Sequence, residues 1–394
     1  MGTTKILSGI VMVRSVLAVG LTAAAADGSF AELEQQFRTP PREAGPAAYW
    51  DWLDGNADLK TITIDLVEAK AKGMSGLEIW DVGALSNPGG LVPAGTPFLG
   101  EESVAAIRHA LKEGQRLGLR LGMIASSGWN AGGAWVIPDW ALKHLFVSTQ
   151  VVQGPAQVAG RLPFPTVPGA CPKSANGLPV FYRDVAVIAV PQSAVKSIAR
   201  LEDVVNLTDR FKDGQLSWSA PAGEWVILRF VCSNSGQRLI AASPKLEGLF
   251  TDFLEPSATA RHFQLILDRL GVTPQNAPQV GLAWLELDSM EMGEGLQWTD
   301  RFPEYFQRWC GYDPIPYLPI LAGWKIPGTT DAFRYDYNHA LSEQLILSHY
   351  TTARDLLRPY GIQHLAAGAF RRRCLRLLRR SNPELLAPVP RCAN

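Results

Sequence analysis

The stretch GLAWLELDSMEMGEG, residues 281–295, ends an apolar run in four carboxylates, Glu286, Asp288, Glu291 and Glu294. Crowded carboxylates repel one another and resist leaving water, so they are either solvated or used. On a strand, Glu286 and Asp288 share one face and Leu287 and Ser289 the other. The strand is predicted to end near Ser289, which puts Glu291 on the loop that follows. An acid placed there can protonate a leaving oxygen while a second carboxylate activates water. Glycosidases need such a pair, and inverting ones hold it roughly 6.5–9.5 Å apart. Asp288 and Glu291 are the candidates for that chemistry; Glu294, flanked by glycines, reads as a solvated loop residue.

Other chemistries find less support. The Gly pairs at 89–90 and 132–133 lack phosphate-loop spacing, and no GxSxG frame surrounds Ser127. The six histidines show no zinc-hydrolase spacing, and the five cysteines form no CxxC. His109 and His349 sit in helical segments and read as surface or packing residues.

The elements around these residues alternate. Strands are predicted at 47–52, 76–82, 119–126, 249–254, 281–288 and 362–366. Amphipathic helices follow them, among them LKTITIDLVEAKAKGM with Leu59, Ile62, Leu66 and Ala69 near one face. A second, ESVAAIRHALKEGQRLG, has Ser103 as predicted N-cap and Gly118 as predicted C-cap. Short joins between strand and helix are the signature of βα units and a parallel sheet. Six such units make an incomplete (β/α)8 barrel, an α/β fold, with units 1–3 over 38–144 and units 4–6 over 241–366. Between them, 145–240 has no helical period. Its alternating runs FVSTQVVQ, DVAVIAV and GEWVILRFVC, separated by Gly- and Pro-containing turns, predict an inserted antiparallel β-sandwich.

In such a barrel, chemistry sits on the loops at the C-terminal ends of the strands. Those ends offer Trp50, Trp52 and Asn56; Asp81; Gly128, Trp129 and Asn130; Asp252; and Asp288, Ser289 and Glu291. Carboxylates, amides and indoles converging on one mouth suit a pyranose, which has hydroxyls at its edges and C–H groups on a face.

The 37 basic and 37 acidic side chains balance, which argues against nucleic acid or an anionic membrane as partner. Residues 1–26, with Lys5, an apolar stretch after Arg14 and alanines up to Ala26, read as a signal peptide, so a secreted or periplasmic protein is expected. No later apolar run is long enough to span a bilayer, so no membrane partner is expected after its removal. The last 28 residues, 367–394, carry seven arginines and one acid, Glu384. They read as a frame-changed tail, or as a basic tail for an anionic partner.

The segments YWDWLDGN, GLEIWDVG, GMIASSGWNAGGAWV and LELDSMEMG, followed by WTDRFPEYFQRWCGYDPIPYLPILAG, fall in an order that resembles the α-L-rhamnosidases of glycoside hydrolase family 106. The resemblance covers about 38 to 365. It implies a barrel with β-sandwich domains, inverting hydrolysis of terminal α-L-rhamnosides in oligo- or polysaccharides, and dependence on calcium, with metal ligands unassigned. It places the family's DSxE segment on Asp288, Ser289 and Glu291, making Glu291 the implied general acid. The WxWxxGN segment falls on Trp50, Trp52, Gly55 and Asn56, and the GW segment on Gly128 and Trp129, as sugar-site residues. Where the family carries an acidic AEAGG-like segment for the general base, this chain reads HLAAGAF, without an acid. Impaired turnover is therefore expected. A barrel glycosidase for another sugar, such as a galactoside or glucuronide, and a non-catalytic carbohydrate-binding protein are the alternatives.

Overall fold

The computed structural model describes residues 30–41 and 44–366. The signal-like start and the Arg-rich tail lie outside them. The chain divides at Gly45 into two compact units. The described part of the first holds helix α1 (Phe30–Arg38), in which Glu34 and Arg38 pair across one turn at 2.7 Å.

In chain order the second unit runs β1 (Ala47–Leu53), α2 (Leu59–Ala71), β2 (Gly76–Val82), α3 (Glu101–Leu117), β3 (Arg120–Ile124), β4 (Gly132–Gly133), β5 (Lys143–Arg161), β6 (Tyr182–Pro191), β7 (Val205–Asn206), β8 (Phe211–Lys212) and β9 (Gln215–Asn234). It continues through β10 (Leu249–Phe250), α4 (Pro256–Arg269), α5 (Ala277–Val280), β11 (Leu282–Leu287), β12 (Leu296–Trp298), α6 (Phe302–Cys310), α7 (Leu318–Leu321), α8 (Thr330–Leu345), α9 (Thr352–Leu357) and β13 (Gln363–Ala366).

Local chemistry explains the helix ends. Asp58 caps α2 by accepting from the backbone N–H and the hydroxyl of Thr61, both at 2.8 Å. Gly118 ends α3 in the left-handed conformation, at φ 68°, as predicted. The N-cap of α3 is Gly100 rather than Ser103. Ser103 is buried inside the first turn, where its hydroxyl accepts from the Leu99 N–H at 3.1 Å.

Five strands form one parallel sheet in the order β1-β2-β3-β11-β13. Helices α2, α3 and α4 bury Ile62, Leu66, Ile107, Leu111, Phe263 and Ile266 with Leu77, Ile79, Leu121, Met123 and Leu285 of the strands. The predicted strand at 249–254 is not part of this sheet. Strand β11 bonds directly to β3, which leaves no slot, and β10 pairs antiparallel with the two glycines of β4. Phe250, Phe253 and Leu254 are buried instead in a second core with β6, β9, α6 and α8.

The predicted sandwich is corrected to one curled antiparallel sheet of six strands, β12-β5-β9-β6-β7 with β8 pairing β9. Strands β5 and β9 are 19 and 20 residues long and shift register between Gly154 and Ala156. Leu216, Trp218 and Ala220 from the first half of β9 pack against Ile227 of its second half and Val187 and Ala189 of β6. A strand whose two halves touch through their side chains must bend, so the sheet covers one of its faces with itself. Its other face, through Ile188, Leu228 and Phe230, meets Phe302, Phe306 and Phe333 of α6 and α8 instead of a second sheet. Among the described residues, no helix is long and apolar enough to cross a membrane.

Candidate active site

Register assigns side chains to the two faces of the parallel sheet. Trp50 lies beside Ile79, and Trp52 beside Asp81. All are on the helix side. Trp52 is buried in the helix-side core, and the Trp50 indole donates to Asp65 of α2 at 3.1 Å. The two indoles pack edge to face at 5.4 Å. The structure therefore places Trp50 and Trp52 behind the sheet rather than in front of it.

The opposite face carries Tyr49, Glu78, Trp80, Gly122, Trp284 and Glu286. Gly122 is the key to their arrangement. A methyl group there would come within 2.1 Å of the Trp284 indole, so the absence of a side chain lets the indole lie across β3. It reaches Glu78 on β2 and donates to Oε2 at 3.1 Å. Glu78 and Glu286 are 5 % and 6 % exposed. Glu78 Oε1 has no donor among the described residues, and the neighbouring carboxyl of Glu286 satisfies it only if the pair holds a proton. Burial, followed by that hydrogen bond, pushes the Glu78 carboxyl up to about 8. The Tyr49 hydroxyl lies 3.5 Å from Glu286 Oε1, its ring packs on Trp80 at 4.3 Å, and burial beside these carboxylates raises it to about 12.

Glu78, Trp284 and Tyr49 escaped the sequence reading. The available signal was a carboxylate in the middle of GLEIWDV, a strand buried at six of seven positions.

The candidate catalytic residues follow at the strand end. Asp288 is half-buried just past β11, and burial, with repulsion from Glu286 and Glu291, raises its pKa. Ser289 donates its hydroxyl to Glu291 Oε1 at 3.0 Å. Asn130, buried on the loop after β3, donates to the Ser289 carbonyl at 3.2 Å, and its own side-chain oxygen has no donor among the described residues. This bond joins the two loops. Trp129 beside it is half-buried, and Glu294 is exposed.

Asp81 and Gly128 tie the end of β2 to the loop after β3. The Ser127 and Ser243 hydroxyls both donate to Asp81 Oδ1, the latter at 2.7 Å, and the Ser243 N–H donates to the Ser127 oxygen at 2.8 Å. Burial outweighs these bonds and pushes Asp81 up to about 6. Gly128, at φ 75°, donates its N–H to the Asp81 carbonyl, and a side chain there would strike the Ile240 carbonyl at 2.2 Å.

Asn56 is exposed and spends its amide on the Leu53 and Pro93 carbonyls, at 3.0 and 2.8 Å. Asp252 is fully buried elsewhere. It pairs with Lys143 at 2.9 Å and accepts from Thr299 at 2.7 Å. The structure thus brings Asp288, Ser289, Glu291 and Asn130 together, ties Asp81 to Gly128, Ser127 and Ser243, and leaves Trp50, Trp52 and Asp252 in structural roles.

Among the described residues, no group of three or more His, Cys, Asp or Glu side chains has the geometry to hold a metal ion. The calcium that the resemblance implies finds no set of three such side chains among these residues.

A family model described as alpha-L-rhamnosidase matches residues 38–198 and 172–374. The chain is 28 % identical over 369 residues to a Formosa agariphila protein named "Putative beta-glucuronidase", covering 84 % of this chain and 30 % of that protein. The structure of a rhamnosidase from Novosphingobium sp. PP1Y superposes with a TM-score of 0.71 at 24 % identity, over 85 % of this chain and 47 % of that one. The chain thus spans less than half the length of either protein.

Proposed function

The chain belongs to the alpha-L-rhamnosidase family of glycoside hydrolases, and on that premise we propose that it serves the hydrolysis of terminal α-L-rhamnosides, with inversion and with Glu291 as general acid. The observation that carries this reading is the loop after β11. It presents Asp288, Ser289 and Glu291 at the C-terminal end of the parallel sheet and is tied to the β3 loop through Asn130. We read that sheet, with its helices on one face, as part of a (β/α) barrel, whose chemistry collects at this end. Trp129, next to Asn130 on the β3 loop and half-buried, is proposed to offer a flat apolar surface for the C–H face of a sugar. The segment at 363–370, QHLAAGAF, contributes no carboxylate as base, so turnover is expected to be weak. Its place of work is proposed to be outside the cytoplasm, where rhamnose-containing glycosides are met.

The test compares aryl glycosides as substrates of this protein. An aryl α-L-rhamnoside is expected to be cleaved. Glu291→Gln should lose roughly 10²–10⁴-fold with a poor leaving group and much less with dinitrophenolate, which needs no proton. Equal losses with both leaving groups would remove Glu291 from the acid role. NMR of the first-formed sugar anomer decides inversion. A second reading, glucuronide hydrolysis, is favoured by the name of the Formosa relative. Cleavage of an aryl β-glucuronide but not of the rhamnoside would establish it.

A further inference from the structure

The curled antiparallel sheet holds an open groove of about 740 Å³ at the end of β5 and the start of β6, far in sequence from the candidate catalytic loops. Pockets that bind small ligands fall in the range of roughly 300–1,000 Å³.

Its floor is Arg229, buried on β9. The guanidinium makes two bonds to Asp184, at 2.7 and 3.2 Å, and a third to the Leu162 carbonyl at 3.2 Å. It is flanked by the rings of Phe164 and Phe211, 5.2 and 4.9 Å from their centroids. This cation is neutralised and fixed, so it shapes the groove without demanding a counter-ion.

One wall is aromatic. Phe164 and Tyr182 pack edge to face at 5.1 Å, both are half-buried, and the Tyr182 hydroxyl has no hydrogen-bond partner among the described residues.

The rim holds one charge of each sign. Arg161 ends β5 with its guanidinium over Gly214, where a methyl group would come within 3.0 Å of Nη1. Asp213 precedes that glycine in the turn between β8 and β9, at φ 49°. Both are exposed, both line the groove, and neither has an ion-pair partner among the described residues.

We propose that this groove is a second carbohydrate subsite, which takes an uncharged pyranose unit. Its charges cancel, Arg229 against Asp184 and Arg161 against Asp213, so an anionic sugar gains nothing there. A free carboxylate and a free guanidinium on opposite terms suit hydroxyls, which donate to the first and accept from the second. The Phe164–Tyr182 wall offers apolar surface to the C–H groups of the ring, with a phenol at its edge. The inference leans on the glycoside-hydrolase reading for the class of ligand alone; the site and its residues stand apart from the catalytic loops.

The experiment titrates the full chain with methyl α-L-rhamnopyranoside, methyl β-D-galactopyranoside and methyl β-D-glucopyranoside, with glucuronate as the charged control, by saturation-transfer NMR. At least one neutral glycoside is expected to bind. Tyr182→Ala and Asp213→Asn should each weaken that binding about tenfold. Asn accepts the left-handed conformation at 213, so that variant keeps the turn even if Tyr182→Ala disturbs the wall. Unchanged melting temperatures confirm the fold of each variant. Neutral glycosides that fail to bind, or that bind every groove variant like wild type, overturn the proposal, as does preference for glucuronate. Groove binding without rhamnoside hydrolysis sinks the proposed function alone. Hydrolysis with groove variants indistinguishable from wild type in binding sinks the subsite alone.

Discussion

Two buried acids in this molecule face opposite company. Asp252 sits under the antiparallel sheet against the ammonium of Lys143, with Thr299 and the Leu254 N–H completing its shell. Glu78 sits on the helix-free face of the parallel sheet against another carboxyl, Glu286, with one neutral donor among the described residues, the Trp284 indole. In the first arrangement burial still raises the Asp252 carboxyl, but Lys143 and the donors oppose it; in the second the neighbouring carboxyl adds to the effect of burial. Burying an acid beside a cation secures the chain path. Burying it beside an acid stores a proton, and the fold gains nothing from that which a well-packed apolar pair would not supply. The contrast separates architecture from candidate chemistry better than carboxylate counting does.

The largest effect is expected on the architectural side. Lys143→Met strands the Asp252 charge and removes the donor from the Asp139 and Ala141 carbonyls, at 2.9 and 3.0 Å. Breaking such a pair costs about 3–5 kcal/mol. Adding Asp252→Leu should recover most of it, read as the midpoint of urea unfolding. A Lys143→Met protein of wild-type stability would mean that Lys143 does not hold the Asp252 charge.

Gly122→Ala comes next. The added methyl meets the Trp284 ring at 2.1 Å and must push the indole off β3, away from Glu78. Overpacking of this kind costs about 2–3 kcal/mol. The bond to Glu78 should be lost with it, visible as a change in Trp fluorescence.

Glu78→Gln tests the stored proton directly. A carboxyl raised from 4.5 to about 8 contributes stability that is fully present below its ordinary value and is lost as pH rises through about 8. Wild type is therefore expected to weaken between pH 5 and 9, by about 2 kcal/mol once screening at the open face is allowed for. The Gln variant keeps a donor for Glu286 and an acceptor for Trp284 without the charge, so its melting temperature should lose that part of the slope. Parallel curves for the two proteins would show that the pair holds no proton.

How much of this was legible in the residues depended on whether one strand carried the information. The parallel strands at 47–53, 76–82, 120–124, 282–287 and 363–366 lie within two residues of their predicted bounds, because apolar runs between Gly and amphipathic helices announce them. GLFTDFL looked the same and was misplaced, since a short apolar run does not say which core it joins. The alternation in β5, β6 and β9 marked one buried face correctly but not what covers it, and a strand that bends onto itself serves as well as a second sheet. The site failed in a related way. In AYWDWL, Tyr49 and Trp50 alternate, and only register with β2 shows that Trp50 faces the helices and Tyr49 the carboxylates. Asp288, Ser289 and Glu291 could be located from the end of their own strand. Glu78 could not, because its partners come from two other strands and its neighbour on β3 is a glycine whose meaning lies in what it omits.

The smallest expected effect is also the most discriminating. The Trp284 indole donates to Glu78 Oε2 and so favours the charged form, against burial and against Glu286. Trp284→Phe keeps most of the ring and removes that donor. The loss of one hydrogen bond should cost about 1 kcal/mol. Its second consequence runs through the titration. Without the indole N–H, the Glu78 carboxylate loses its one neutral donor, so its pKa should rise further above about 8, and the fall in stability with pH should move to higher pH. Carbon-13 NMR of labelled glutamate reads that titration without reference to activity. A midpoint that moves down on Trp284→Phe would mean that the indole holds the neutral acid rather than the carboxylate, and the proton would then belong on the Glu286 side of the pair.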